Sequence, residues 1–232
     1  MTFEEAAARL ARNSRFQQLK LSLGLALGRR WVLFVIANSC LVVNLILSVM
    51  VGGLLKAESS YEIWVFLLLI LGVPLTADAV SLERKWGSLD LSLVAPSADT
   101  YFYRRAALVI GALTAEAILI TFLTRLFLEP FPLWPVLLQG LLVSALVGVT
   151  TLFWAVRFRT SGSALVASYL TILLLWKWVS ANPVFGPSTR MDFLYSEFLW
   201  EFAKRLPVLA MATVLFFVYT RRILRNPESI LL

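Results

Sequence analysis

Long apolar runs separated by short polar segments dominate the chain. Each run approaches the roughly 20 helical residues needed to cross the ~30 Å hydrocarbon core of a bilayer. Only helices and closed barrels can span lipid, and the alternating segments of about ten residues that barrels require are absent. We therefore predict an all-α polytopic membrane protein with one transmembrane domain, residues 31–232. Its six transmembrane helices are expected at about 31–55, 61–82, 104–128, 133–156, 162–181 and 206–223.

Two amphipathic segments are predicted outside these six runs. In residues 1–30, leucines such as Leu19 and Leu23 recur at helical spacing among basic residues. That pattern is typical of a helix lying along the inner membrane surface. Residues 182–205 contain two prolines and a glycine near their start and then present an apolar helical face from Asp192 onward. We predict that they form a loop and a short external helix before the last span.

Positive charges cluster at the ends of the apolar runs. If both termini face the cytoplasm, the successive cytoplasmic segments hold six, four, two and three basic residues, which is 15 of the 21 in the chain. The positive-inside rule then predicts a multi-pass protein of the cytoplasmic (inner) membrane with both termini inside. This distribution accounts for the net charge of +7. We therefore expect contact with membrane lipid and no nucleic-acid partner.

Composition narrows the possible chemistry. The chain has no histidine and a single cysteine, Cys40, which lies in the first apolar run. Zinc, copper and haem sites depend largely on these two residue types, and a serine triad needs histidine. No Gly-x-x-x-x-Gly-Lys-Ser/Thr loop is present, so the chain has no phosphate-binding loop of that kind. We expect no enzyme activity, no metal site and no cofactor bound by this chain.

A polar segment at residues 83–103 separates the second and third apolar runs. It is longer than a simple turn needs. Ser88 can cap a short helix, and Pro96 would end it because proline cannot continue the backbone bonding. Such a helix would bring three apolar side chains to one face: Trp86, Leu89 and Leu93. The alternative is an ordinary cytoplasmic loop whose basic residues serve topology.

The spacing Glu83-x-x-x-Gly87-Ser88-Leu89-Asp90, followed by Pro96, resembles the permease subunits of type-2 ATP-binding-cassette exporters. In that family the corresponding loop is a coupling helix that fits a groove on the ATPase subunit. The layout of an N-terminal amphipathic helix, six spans and an external helix before the last span is also similar. The chain departs from the family at Arg104-Arg105, where Gly-Lys is common. The resemblance implies these ATPase-coupling residues: Glu83, Trp86, Gly87, Leu89, Asp90, Leu93 and Pro96.

This resemblance implies an exporter permease that works with other subunits. A separate ATPase subunit would bind ATP and Mg, and a second permease half, identical or different, would complete the path. The transported substrate is left open. A haem-exporter permease of cytochrome c maturation has a similar layout and is one alternative. A non-transporting membrane anchor of a cytoplasmic complex is another, and an intramembrane enzyme using Glu116 or Asp78 is the least favoured.

Polar residues inside the predicted spans are candidates for the substrate path. Glu116 is expected about 18 Å along the third span from Arg104, near the bilayer midplane, where an ionisable group is costly. It either lines the path or is a structural carboxyl group, and both possibilities are open. Asn38 and Asn44 of the first span are further path candidates, although amides in spans more often bond between helices. The same structural role is expected for Gln139.

Small residues recur every four positions in two of the spans. This spacing allows helices to approach closely, so we predict that both sets serve packing. The sets are Gly140, Ser144 and Gly148 in the fourth span, and Ala107, Gly111 and Ala115 in the third.

Overall fold

The computed structural model describes residues 59–85, 98–127, 131, 133–158, 160–181, 183 and 191–225, together with positions 43 and 50. Every regular element in those ranges is helical, which confirms the all-α prediction there. In chain order the elements are α1 (Ser59–Leu67), a π-helical turn (Leu68–Gly72), α2 (Val73–Lys85), α3 (Ala98–Phe127), α4 (Leu133–Arg157), α5 (Ser161–Leu174), α6 (Trp176–Val179) and α7 (Met191–Arg225).

Four of the described helical stretches are long and apolar enough to cross a membrane. Their mean hydropathies lie between 1.5 and 2.2. These stretches are Ser60–Asp78, Thr100–Phe127, Leu133–Arg157 and Phe202–Arg225. They correspond to the second, third, fourth and sixth predicted spans. The first predicted span, 31–55, and the predicted amphipathic helix, 1–30, lie outside the described residues.

The fifth predicted span is formed by two helices in succession. α5 begins after Thr160, whose side-chain oxygen accepts the backbone N–H of Ser163 at 3.3 Å. It ends at Leu175, which leaves the helical region at φ −92° and ψ 7°, and α6 adds a single further turn. The apolar helix of Ser161–Leu174 is therefore shorter than the other four stretches.

The last helix differs from the sequence prediction. We expected a short external helix and a separate last span, but α7 runs without interruption for 35 residues from Met191 to Arg225. At 1.5 Å per residue it is about 52 Å long. Pro207 lies inside it. Proline removes one backbone hydrogen bond and clashes with the preceding turn, yet α7 continues through it.

α4 is the centre of the described bundle, because it packs against α2, α3, α5 and α7. Within the apolar window of α4, 61% of residues are buried, compared with 11% in that of α7. The larger core cluster includes Trp64, Leu113 and Val143, each no more than 1% exposed. A second cluster joins Phe102 to the far end of α4 and to Leu224 of α7. The bundle is thus organised around one helix, with α7 at its edge.

The two sets of small residues have different surroundings. A Cβ atom placed on Gly140 would lie 2.7 Å from the Trp64 ring, and one on Gly148 would lie 3.0 Å from Ile110. The packing role predicted for the set in α4 is therefore confirmed. The three residues of the set in α3 are exposed. No atom lies within 4 Å of a Cβ on Gly111, so no described helix packs against that face.

Candidate functional site

The predicted coupling residues lie mostly beyond the described part of the chain. Glu83 is in the last turn of α2, and its backbone is helical. The other six, Trp86, Gly87, Leu89, Asp90, Leu93 and Pro96, lie outside the described residues. Both neighbouring helices extend into the segment predicted as the loop, because α2 continues to Lys85 and α3 begins at Ala98.

Of the three predicted path residues, the structure describes Glu116. Asn38 and Asn44 lie outside the described residues. Glu116 lies well inside α3, 16 residues after Thr100 and 11 before Phe127, the two ends of its apolar stretch. At 1.5 Å per residue it is at least about 16 Å from either end. That depth agrees with the predicted position inside the hydrocarbon core.

Glu116 sits where the buried and exposed faces of α3 meet. Leu113 and Ala117, which neighbour it on one side, are 1% and 2% exposed. Ala115 and Leu119 on the other side are exposed, and Glu116 itself is half-buried. Its Oε2 atom is buried and has no hydrogen-bond partner within the described bundle. The Glu116 side chain is therefore partly covered by the core and partly exposed at the surface of the bundle.

The basic residue closest in sequence to Glu116 on the outer side is poorly placed to pair with it. Arg125 follows nine residues later, which is about half a turn round the helix and about 13 Å along it. Its side chain is exposed. An ionisable group inside a span normally pairs, becomes neutral or contacts water. The buried Oε2 atom therefore has no partner from Arg125 or from any other described residue.

A buried polar cluster holds α1, α4 and the segment after α5 together. Tyr61 Oη donates to the carbonyl oxygen of Val179 at 2.6 Å and accepts from Gln139 Nε2 at 2.9 Å. Gln139 Nε2 also donates to the carbonyl oxygen of Ala181 at 2.7 Å. Gln139 is completely buried. Its predicted role as an interhelical bond is therefore confirmed, and these bonds offset part of the cost of burying an amide whose Oε1 atom has no partner among the described residues.

A second pair of bonds lies one turn further along the same helices. Trp64 Nε1 donates to Ser144 Oγ at 3.0 Å, and Ser144 Oγ donates to the carbonyl oxygen of Gly140 at 2.8 Å. The indole ring occupies the space that a side chain at position 140 would fill. A buried tryptophan N–H needs a partner, and Ser144 supplies it. These residues serve packing and not chemistry.

The start of α3 contains a feature that the sequence prediction missed. Arg105 was expected to be a topological charge in the cytoplasmic interface, yet it is only 7% exposed. Its Nη1 atom donates to Tyr101 Oη at 3.1 Å, and its guanidinium carbon lies 5.8 Å from the centroid of that ring. Arg104 is exposed, as expected. The four-residue spacing of Tyr101 and Arg105 on one helix was the available signal.

Among the described residues, no group of three or more His, Cys, Asp or Glu side chains could hold a metal ion. The fold defines the class of protein: a helical membrane protein with at least four stretches suited to spanning. No family model, curated protein or solved structure matches the chain.

Proposed function

We propose that this chain is a permease subunit of an ATP-driven exporter. Its six spans would form half of a transport path, and a second permease half, identical or different, would complete it. The observation that carries the proposal is the sequence spacing from Glu83 to Pro96, which resembles an exporter coupling helix. Two long helices, α2 and α3, lead into and out of this segment. Helices on both sides of the segment suit the transfer of a movement from a cytoplasmic partner to the bundle.

The proposed topology places both termini in the cytoplasm of a cell with an inner membrane. It combines the four described spanning stretches with the predicted first span and with the fifth span formed by α5 and α6. The amphipathic helix of residues 1–30 would lie along the inner surface. The distribution of basic residues supports this orientation.

The exposed apolar surface of the bundle leaves room for a partner half. Only 39% of the window in α3 and 11% of that in α7 are buried. Lipid can cover such surfaces, and so can the helices of a second permease. A single bundle with one central helix, α4, has its spare surface at the edges. That arrangement is consistent with a path formed between two halves.

Glu116 is the proposed contact for a substrate within this path. Its buried oxygen has no partner among the described residues, and its exposed side faces away from the core. A hydrogen-bond donor or a positive charge on the transported molecule would complete its bonding. Asn38 and Asn44 remain further candidates because their side chains could contribute hydrogen bonds from the first span.

The test is a charge reversal in the coupling segment. The permease is reconstituted in vesicles with an ATP-binding-cassette ATPase that co-purifies with it, and ATP hydrolysis and transport are measured together. Asp90→Arg should lower substrate-stimulated hydrolysis by about tenfold, because a charged hydrogen bond across an interface contributes about 1.5–3 kcal/mol. Glu228→Arg, a reversal in the C-terminal segment, is the matched control and should have little effect.

Two results would contradict the proposal. Full coupling of hydrolysis to transport in Asp90→Arg would remove the role of this segment. Hydrolysis that responds to the permease without any movement of substrate would favour the membrane anchor. Equal membrane levels of both variants, measured by immunoblotting, are required for either conclusion.

A further inference from the structure

The helix that starts at Ser59 changes its backbone bonding immediately before a proline. In the π-helical turn of Leu68–Gly72, the N–H of Val73 bonds to the carbonyl oxygen of Leu68, five residues earlier. Pro74 follows at once and has no N–H. In α-helical bonding the carbonyl of Leu69 would accept from Val73, and in π-helical bonding it would accept from residue 74. The first donor is used elsewhere and the second does not exist.

Tyr169 of α5 supplies the missing donor. Its hydroxyl group donates to the carbonyl oxygen of Leu69 at 2.7 Å. An unsatisfied carbonyl at this depth would cost several kcal/mol because lipid offers no hydrogen bond. The single hydroxyl therefore has a larger effect than an ordinary interhelical bond. Its partner is an acceptor that the helix itself cannot satisfy.

Two segments of the chain, α1 with the π-helical turn and α5 with α6, are also joined at a second point. Tyr61, eight residues before Leu69, bonds to Val179, ten residues after Tyr169. The two segments thus run antiparallel and are held by one tyrosine from each. Regular α-helical bonding is interrupted once in each segment. The interruption lies at the π-helical turn in the first segment and at Leu175 in the second. Interruptions in helices are the usual places for bending.

The π-helical turn also packs tightly against α3. A Cβ on Gly72 would lie 3.2 Å from Ile110 Cδ1 and 3.4 Å from Leu113 Cδ1. The backbone of the turn is therefore packed closely against a neighbouring helix. A larger residue at position 72 would fix the two helices at a greater separation.

We propose that the π-helical turn and Pro74 form a hinge in this spanning helix and that Tyr169 is its latch. With the hydroxyl bonded to Leu69, the turn is held in its π-helical register. When the bond breaks, the uncapped carbonyl must find another donor, and the turn opens or shifts its register. The latch couples the bend of one helix to the position of α5. This inference does not depend on the proposed transport function.

Tyr103 makes a similar bond from its hydroxyl group to a backbone carbonyl, but that carbonyl does not depend on it. Tyr103 Oη donates to the carbonyl oxygen of Phe217 at 2.8 Å. That carbonyl lies in continuous α7, where the N–H of Arg221 follows four residues later. The hydroxyl of Tyr103 is thus an additional donor to a carbonyl with a helical donor in place. Tyr103→Phe is therefore the matched control for Tyr169→Phe.

Hydrogen exchange of the full chain in lipid nanodiscs tests the latch. Tyr169→Phe should speed exchange of the peptide that covers residues 68–76 by about tenfold, because local opening governs exchange and the lost bond stabilised the closed turn. Tyr103→Phe should leave that peptide within about twofold of the wild-type rate. Peptides from α4 report whether the whole bundle has loosened.

A second background separates a latch from ordinary packing. Pro74→Ala restores a backbone N–H, which can satisfy the carbonyl of Leu69 in the π-helical bonding of the turn. In that background Tyr169→Phe should change the exchange rate less than about twofold. An equal effect of Tyr169→Phe in the wild-type and Pro74→Ala backgrounds would overturn the proposal. So would an unchanged rate in the wild-type background, or acceleration that extends equally to α4.

Discussion

The burial of single polar side chains in this bundle is explained by the hydrogen bonds that the nearest groups donate or accept. Gln139 is buried because a backbone carbonyl and a tyrosine hydroxyl take both of its amide hydrogens. Trp64 is buried because Ser144 accepts from its indole N–H. Glu116 differs in the kind of group that is left without a partner among the described residues: its buried Oε2 atom belongs to an ionisable carboxyl group, whereas the unpartnered Oε1 atom of Gln139 belongs to a neutral amide. That contrast makes Glu116 the residue whose role is best decided by substitution.

In the proposed permease, replacing Glu116 with glutamine should lower transport by about tenfold while assembly with the ATPase survives, because the amide keeps the size but loses the proposed charge-assisted bond to substrate. Transport into vesicles and co-purification of the ATPase measure the two properties. Glu62→Gln is the matched control because Glu62 is exposed in α1. Normal transport by Glu116→Gln, together with impaired assembly of Glu116→Leu, would instead identify a structural carboxyl group.

At the scale of whole helices, the predictions made from apolar runs were accurate where the pattern was local. The fourth span, expected at 133–156, is observed as Leu133–Arg157. The separate external helix was wrong, because the charged pair Lys204-Arg205 and Pro207 resemble a boundary in sequence but do not stop the backbone of α7. Hydropathy indicates which residues suit the hydrocarbon core of a bilayer, whereas backbone hydrogen bonding determines where a helix begins and ends.

Two glycines that look alike in sequence should respond differently to the same substitution. Gly140→Ala should destabilise the bundle by about 1–3 kcal/mol, because the new methyl group would overlap the buried Trp64 ring. Gly111→Ala should be neutral or stabilising by up to about 1 kcal/mol, because the site is open and alanine favours helix. Thermal unfolding in one detergent compares them. Equal stability of the two variants would show that Trp64 moves aside freely.

At the scale of the whole molecule, the distribution of charge concerns the orientation in the membrane, and packing concerns the arrangement of the helices. The basic residues favour one orientation in the membrane. The bundle is then built around α4, with α7 and one face of α3 left largely uncovered by the described helices. These surfaces are apolar, so they suit contact with lipid or with other apolar helices. The orientation decides which end of α4 faces the cytoplasm.

The proposed orientation predicts that position 188 is external and position 228 is cytoplasmic. In a Cys40→Ser background, Ser188→Cys should react with a membrane-impermeant thiol reagent in intact cells. Glu228→Cys should react only after permeabilisation, because the bilayer excludes the charged reagent. Gel-shift quantification of both variants makes each the control for the other. The reverse pattern would invert the topology.

The sequence by itself determined the helical class and the positions of most described spans. Lipid forces the backbone to satisfy itself within each segment, so length and hydropathy encode such helices locally. Tertiary structure decided which small-residue face is packed, why Arg105 is buried beside Tyr101, and where Tyr169 meets Leu69. Tyr169 and Leu69 are 100 residues apart. Contacts of that kind depend on the shapes of other helices, which no local pattern along the chain contains.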